Sequence, residues 1–202
     1  PSYLQLDMHH IPEVHAMGFH GEGVLVCVLD SGFDIDHEAF RQLNVRAQRD
    51  FIFDDEDPSY DPRTDLPGQS AHGTLVLSAL GGYAPGKLVG AAYRAEFLLG
   101  KTEWIGREEP VEEDTWCAGV EWAEAMGADV ITSSLSYHGW YTWRDMDGRT
   151  GVTTRAANLA FERGVVIVNA VGNTGWVEGR LGAPADALGA ISVGAVNGVG
   201  NL

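Results

Sequence analysis

The stretch GEGVLVCVLDSGFDIDHEAF, residues 21–40, decides the fold. Its apolar run 24–29 stops at Asp30, and Ser31 and Gly32 turn the chain away. A short apolar run of this kind reads as a strand buried on both faces of a parallel sheet. Open α/β sheets place their chemistry at the carboxyl ends of such strands. Asp30 is therefore a candidate functional carboxylate whose partners must come from elsewhere in the chain.

Working outward, residues 45–53 alternate and read as a second strand. The stretch DDED at 54–57, with Asp61, Asp65 and several prolines close behind, is a loop by composition. Its carboxylates suit calcium, which takes about six to eight oxygens, but EF-hand spacing is missing and a plain solvated acidic loop is the simpler reading. Ser70 offers a cap for a helix opening at 71, with His72 in its first turn. There the positive end of the helix dipole favours a neutral imidazole. Residues 95–101 form a short apolar strand. Pro110 and the acids at 112–114 open a helix whose apolar positions Trp116, Val120 and Ala123 share one face, closed by Gly127. Strand 129–135, an aromatic loop at 137–149, helix 151–163, strand 165–171 and strand 190–196 complete the order. Strands alternating with helices of about a dozen residues predict an α/β domain in three layers, a mostly parallel sheet with helices on both faces. No linker-like boundary divides the 202 residues, so one domain, 1–202, is expected.

Composition narrows the function classes. The chain is 45% hydrophobic, enough for a full core. No apolar run approaches the roughly 20 residues of a membrane span, and residues 1–20 lack a signal-peptide pattern. Thirteen basic against 29 acidic residues give a net charge of −16, which argues against nucleic acid as a partner and suits a secreted protein. The four histidines at 9, 10, 15 and 20 match no metal-ligand spacing and read as a solvated surface arm. Cys27 falls in a strand and Cys117 in a helix, and both read as small buried hydrophobes without a disulfide.

Three polar groups share a mechanistic reading. Asp30 ends one strand, His72 starts a helix, and Asn173 follows strand 165–171. An aspartate that orients a histidine, and an amide donor for an oxyanion, are two of the three parts of an acyl-transfer site. The motifs then fall in the order of a known family. VLVCVLDSG at 24–32 with His37, HGT at 72–74, VGAA at 89–92, GVEWA at 119–123, ADVI at 128–131 with Ser134 and Leu135, AVGN at 170–173, APA at 183–185 and ISVGAV at 191–196 resemble the subtilisin-like serine peptidases. The resemblance implies a subtilisin-like fold and a serine endopeptidase using an Asp-His-Ser triad. Asp30 would orient His72, His72 would act as general base and then acid, and Asn173 would stabilise the oxyanion. Ser134, Leu135 and Ser136 would pair with a polypeptide substrate as an added strand, with Thr102, Trp104 and Gly106 flanking its other side. No cofactor is required for catalysis, and structural calcium is possible. The position nine residues past Asp30, where the family usually carries a calcium-binding carboxylate, is Ala39.

The sequence also departs from the family. Ser136 and Tyr137 stand where the family usually shows glycine, which changes the primary specificity pocket. Trp104 and the aromatic loop suit an aromatic-lined cleft or ordinary loop packing. The Gly-Thr-Ser nucleophile motif is absent. The family carries its serine roughly 65 residues beyond the oxyanion asparagine, which from Asn173 would fall past residue 202. The expectation is a domain truncated at its C-terminus, inactive as it stands. The alternative is a binding module that keeps the fold without the nucleophile. A nucleotide-binding or aspartyl-phosphatase reading fits poorly, since Gly21 and Gly23 precede their strand and position 32 is glycine.

Overall fold

The computed structural model describes residues 3–173 and 181–197. In chain order the elements are helices α1 (Tyr3–Met8) and α2 (Ile11–Ala16), strands β1 (Leu25–Asp30) and β2 (Asn44–Asp50), helix α3 (Ala71–Gly81), a two-stranded hairpin of β3 (Tyr83–Ala84) and β4 (Leu88–Val89), β5 (Glu96–Lys101), α4 (Val111–Ala125), β6 (Val130–Ser133), α5 (Val152–Glu162), β7 (Val166–Ala170) and β8 (Ala190–Val193). Six strands make one sheet in the order β2-β5-β1-β6-β7-β8, with every neighbouring pair parallel. The sheet with helices on both faces is the α/β arrangement expected from the sequence.

Strand β1 lies at the centre and is buried throughout. Its side chains alternate, as a pleated strand requires. Leu25, Cys27 and Leu29 pack with Trp116 and Val120 of α4 and with Ala157 and Ala160 of α5. Val26 and Val28 pack with Leu77 of α3 and with Phe33, Phe40, Phe97 and Leu99. Asp30 shares the parity of Val26 and Val28, so pleat geometry sends its carboxylate toward α3, the helix that carries His72. Cys27 and Cys117 are free thiols, the former buried.

Several expected boundaries move for identifiable reasons. The second strand stops at Asp50, not at residue 53, because the Asp50 carboxylate accepts hydrogen bonds from the backbone of Ile52 and Phe53 (2.7 and 3.1 Å) and folds the chain into a turn. The N-terminal arm contains two short helices. His15 is not a solvated imidazole: it bonds the Ala91 carbonyl at 2.9 Å, and its ring lies 5.1 Å from that of His20 and 5.4 Å from that of Tyr93. Part of the loop after β7, residues 174–180, lies outside the described residues.

The long connection between β2 and α3 is pinned by a buried charge cluster. Lys101 ends β5 and is 1% exposed. Its ammonium lies 2.8 Å from Asp50 and 2.9 Å from Asp65, both also buried. Asp50 Oδ1 accepts the backbone amides of residues 52 and 53, and Asp65 Oδ2 accepts that of residue 61 as well as the ammonium. A buried ion cluster is tolerated when its lone pairs are filled in this way, and removing one partner leaves uncompensated charge. Replacing Lys101 with methionine should therefore cost about 3–5 kcal/mol of stability in denaturant unfolding; a loss below about 1 kcal/mol would show that the cluster does not hold the loop.

Candidate active site

The carboxyl ends of β1, β5, β6 and β7 lie side by side in register: Asp30 opposite Lys101, Leu29 opposite Ser133, and Ser133 opposite Asn169. His72 and Asn173 come to this edge. Between them lies a cleft of about 610 Å³, lined by Ser31, His72, Glu103, Ser134, Ser136 and Asn173 among others.

Asp30 is fully buried. Its Oδ1 accepts the Ser31 amide at 2.7 Å and the Ser31 hydroxyl at 3.2 Å, and lies 2.7 Å from His72 Nδ1. The His72 side chain is 47% exposed. With Nδ1 held by the buried carboxylate, Nε2 is the ring nitrogen left for proton transfer. The hydrogen bond that His72 donates to the Asp30 carboxylate raises the His72 pKa above its usual 6.5, against the opposing effect of burial. The helix-dipole expectation thus ran in the wrong direction, because a bond to a carboxylate at contact distance outweighs a partial charge spread over a helix turn. Ser70 stands at the cap position but its side chain caps nothing; its carbonyl receives the Thr74 amide and hydroxyl.

Two glycines allow helix and strand end to approach this closely. A Cβ on Gly73 would lie 2.2 Å from the Gly32 carbonyl oxygen and 3.1 Å from Asp30, so only glycine lets the residue after His72 sit against the turn. Gly32 itself has φ +121° and would press a Cβ to 2.7 Å from the Pro58 carbonyl oxygen.

The other candidates divide. Ser134, Leu135 and Ser136 line the cleft, as do Trp104 and Gly106. Asn173 is exposed at its rim. The Leu135 carbonyl is fixed by the Asn169 amide at 2.9 Å, and Asn169 in turn accepts the Ser133 hydroxyl, which receives Trp116 Nε1 at 3.1 Å. Thr102 is fully buried and lines a separate, smaller cavity with Ile52, Val111 and Thr115. Its amide donates to the Asp30 carbonyl at 2.9 Å, which extends the sheet by one residue. The aromatic loop is structural: Trp140 and Tyr141 both donate to the buried Glu113 carboxylate, at 2.7 Å each.

Glu103 was not singled out by the sequence. It faces Tyr137, whose hydroxyl donates to Glu103 Oε2 at 3.0 Å, and Tyr137 is 1% exposed. Burial, with the Glu112 carboxylate nearby, pushes the Glu103 pKa up to about 8. The carboxylates of Glu103, Glu108 and Glu112 come within 4.8 Å of one another. Glu112 already accepts the Trp104 and Glu109 amides, and three carboxylates supply about half the oxygens calcium takes. Among the described residues the carboxylates of the 54–65 loop do not converge; they cap local backbone amides. Ala39 is a buried core residue.

Two titrations follow from this geometry. Replacing Asp30 with asparagine should lower the His72 pKa, read from imidazole NMR shifts against pH; an unchanged midpoint would mean that the 2.7 Å contact does not set it. For Glu103, the folded pKa lies above the unfolded one, so its contribution to stability is present below about 4.5 and is lost as pH rises toward about 8. Glu103→Gln should therefore stabilise the protein progressively more across that interval, measured by thermal unfolding at stepped pH; a pH-independent effect would contradict the raised value.

Comparison with known proteins matches this chain to one family. The model of the subtilase family matches residues 21–202. The minor extracellular protease Vpr of Bacillus subtilis (strain 168) is 31% identical over 89% of this chain, which spans 21% of Vpr. Subtilisin of Bacillus pumilus is 30% identical over 92% of this chain, which spans 61% of that protein. The chain thus covers less than two thirds of these relatives. Among solved structures, the PatG macrocyclase in complex with peptide superposes with a TM-score of 0.74 at 14% identity, covering 97% of this chain and 65% of that one. The protease domain of PatA gives 0.70 at 23% identity, covering 91% and 61%. These two likenesses speak to the fold, and the family match speaks to descent: the chain belongs to the subtilase family of peptidases.

Proposed function

We propose that this chain carries two thirds of the catalytic triad, with the oxyanion donor, of a serine endopeptidase whose nucleophile is supplied by sequence outside these 202 residues. The observation that carries the reading is the 2.7 Å contact between fully buried Asp30 and half-exposed His72 at the mouth of a cleft. Burial keeps Asp30 away from any substrate, and exposure leaves His72 able to meet one.

In this reading Asp30 holds the His72 tautomer and stabilises its cation. His72 Nε2 takes the serine proton as the hydroxyl oxygen attacks the scissile carbonyl. The Asn173 side-chain amide donates to the resulting oxyanion. The C–N bond then breaks and His72 returns the proton to the departing amine. Water repeats the sequence on the acyl-enzyme and releases the serine. The substrate polypeptide lies along residues 134–136 as an added strand, with residues 103–106 as the opposite wall. Catalysis by these groups needs no cofactor. The exposed apolar side chains of Leu159 and Phe161 on α5 and of Leu188, Ile191 and Val193 at and near β8 support a further segment packing on this edge. Extracellular action is supported by the name of Vpr and by the charge of −16. No helix among the described residues is long and apolar enough to cross a membrane.

The 202-residue chain alone should show no peptide hydrolysis and no labelling by a fluorophosphonate. A longer protein that contains it should show both. In that protein Asp30→Asn should lower kcat about 10⁴-fold and Asn173→Ala about 10²- to 10³-fold. Absence of fluorophosphonate labelling in the longer protein would overturn the peptidase reading in favour of a binding module.

A further inference from the structure

A peptide that adds to a sheet as a strand needs free backbone donors and acceptors on the edge that receives it. The cleft has two candidate edges, residues 134–136 and residues 103–105. On the second of these the backbone is already occupied from within the chain.

The occupant is Gln69, three residues before His72 and fully buried. Its Nε2 donates to the Glu103 carbonyl at 2.6 Å and to the Ser31 carbonyl at 2.8 Å. Its Oε1 accepts the Ile105 amide at 3.2 Å. In extended backbone, the carbonyl of one residue and the amide two residues later face the same side. Gln69 thus bonds the Glu103–Ile105 pair of groups as a neighbouring strand would. The opposite side of the same segment is also taken: the Trp104 amide donates to Glu112 Oε1 at 3.2 Å, and the Trp104 carbonyl accepts the Arg107 amide at 3.2 Å. An N–H donates once, so neither the Ile105 nor the Trp104 amide is left for a substrate. Displacing Gln69 would break three hydrogen bonds at once and leave a buried amide and the Ser31 carbonyl unsatisfied.

We propose that Gln69 stands in for a substrate strand on the 103–105 edge, so that a peptide is held by backbone pairing on the 134–136 side only. The 103–105 wall then selects substrate through side chains, those of Glu103 and Trp104, and not through its main chain. The inference rests on the peptidase reading above and refines how that cleft takes its polypeptide.

Alternate residues of a bound strand face opposite neighbours, and this gives a direct test in the longer, catalytically complete protein. A peptide that it cleaves is remade with one amide N–H at a time replaced by an ester oxygen. Replacements at one parity should lower kcat/KM about tenfold each, and those at the other parity by less than about twofold. Comparable losses at both parities would overturn the proposal. In Gln69→Ala the Glu103 carbonyl is released to accept a substrate N–H, so the silent parity should become sensitive; a uniform loss at all positions would mark Gln69 as merely structural. Amide exchange in the unsubstituted protein supplies a reading that depends on neither variant nor turnover. The Ile105 N–H should be protected before peptide is added and unchanged after it, while residues 134–136 gain protection. Rapid exchange of Ile105 in the free protein would sink the idea. Failure to cleave the unmodified peptide counts against the peptidase reading, whereas the Ile105 exchange result stands apart from it.

Discussion

A carboxylate with no exposure to water, placed at the end of a strand buried on both faces, sets the terms for this site. Asp30 cannot be left unpaired there without a large desolvation cost. Its Oδ1 is met by the Ser31 amide, the Ser31 hydroxyl and His72. Those partners force the chain to turn tightly at Gly32 and to bring the first turn of α3 against that turn, which only Gly73 permits. The same demand that makes Asp30 tolerable in the core therefore delivers a polarised, half-exposed imidazole to the surface. The Asp30–His72 hydrogen bond serves the folding requirement and the chemical one at once.

The rest of the carboxyl edge repeats this logic with other groups. Lys101 is balanced by Asp50 and Asp65, and Ser133 and Asn169 are joined to Trp116 and to the Leu135 carbonyl. Strands β1, β2, β5 and β6 each end in a buried polar group, and β7 carries one a residue before its end, each bonded to a side chain or backbone group of another element. The loops of the cleft are thereby fixed to the sheet through side chains, which suits a surface that must hold its shape while binding an extended chain.

The strands and long helices were legible because each is an apolar run or stripe bounded by polar punctuation. Residues 24–29, 95–101 and 165–171 needed nothing from outside themselves to be read. The ordered motifs made Asp30, His72 and Asn173 legible as a set where each alone was weak. The unreadable parts depend on partners far away in the chain. Lys101 looked like a strand terminus, since its two carboxylates come from the end of β2 and the loop beyond it, 36 and more residues distant. Helices α1 and α2, six residues each, carry no apolar stripe and are positioned by His15 and His20 against Tyr93. Gln69 sits in a Gly-Gln-Ser stretch with no pattern to mark it. The aromatic loop was ambiguous because cleft lining and loop packing need the same residue types; Glu113, a helical acid that seemed merely to favour the dipole, decides for packing.

The departure from family pattern at residues 136–137 has a physical counterpart across the cleft. Ser136 sits against Gly172 and Gly182, where any added Cβ would come within 2.6 Å of its hydroxyl. Tyr137 turns inward, and a buried phenol needs an acceptor. Glu103 supplies it from the opposite wall. A carboxyl can occupy that position because burial raises its pKa and leaves it uncharged over most of the neutral range. Tyr137 and Glu103 thus form one unit tying the two walls together beneath the cleft. Replacing Tyr137 with phenylalanine, or Glu103 with a residue that cannot accept a hydrogen bond, leaves a buried polar group without its partner.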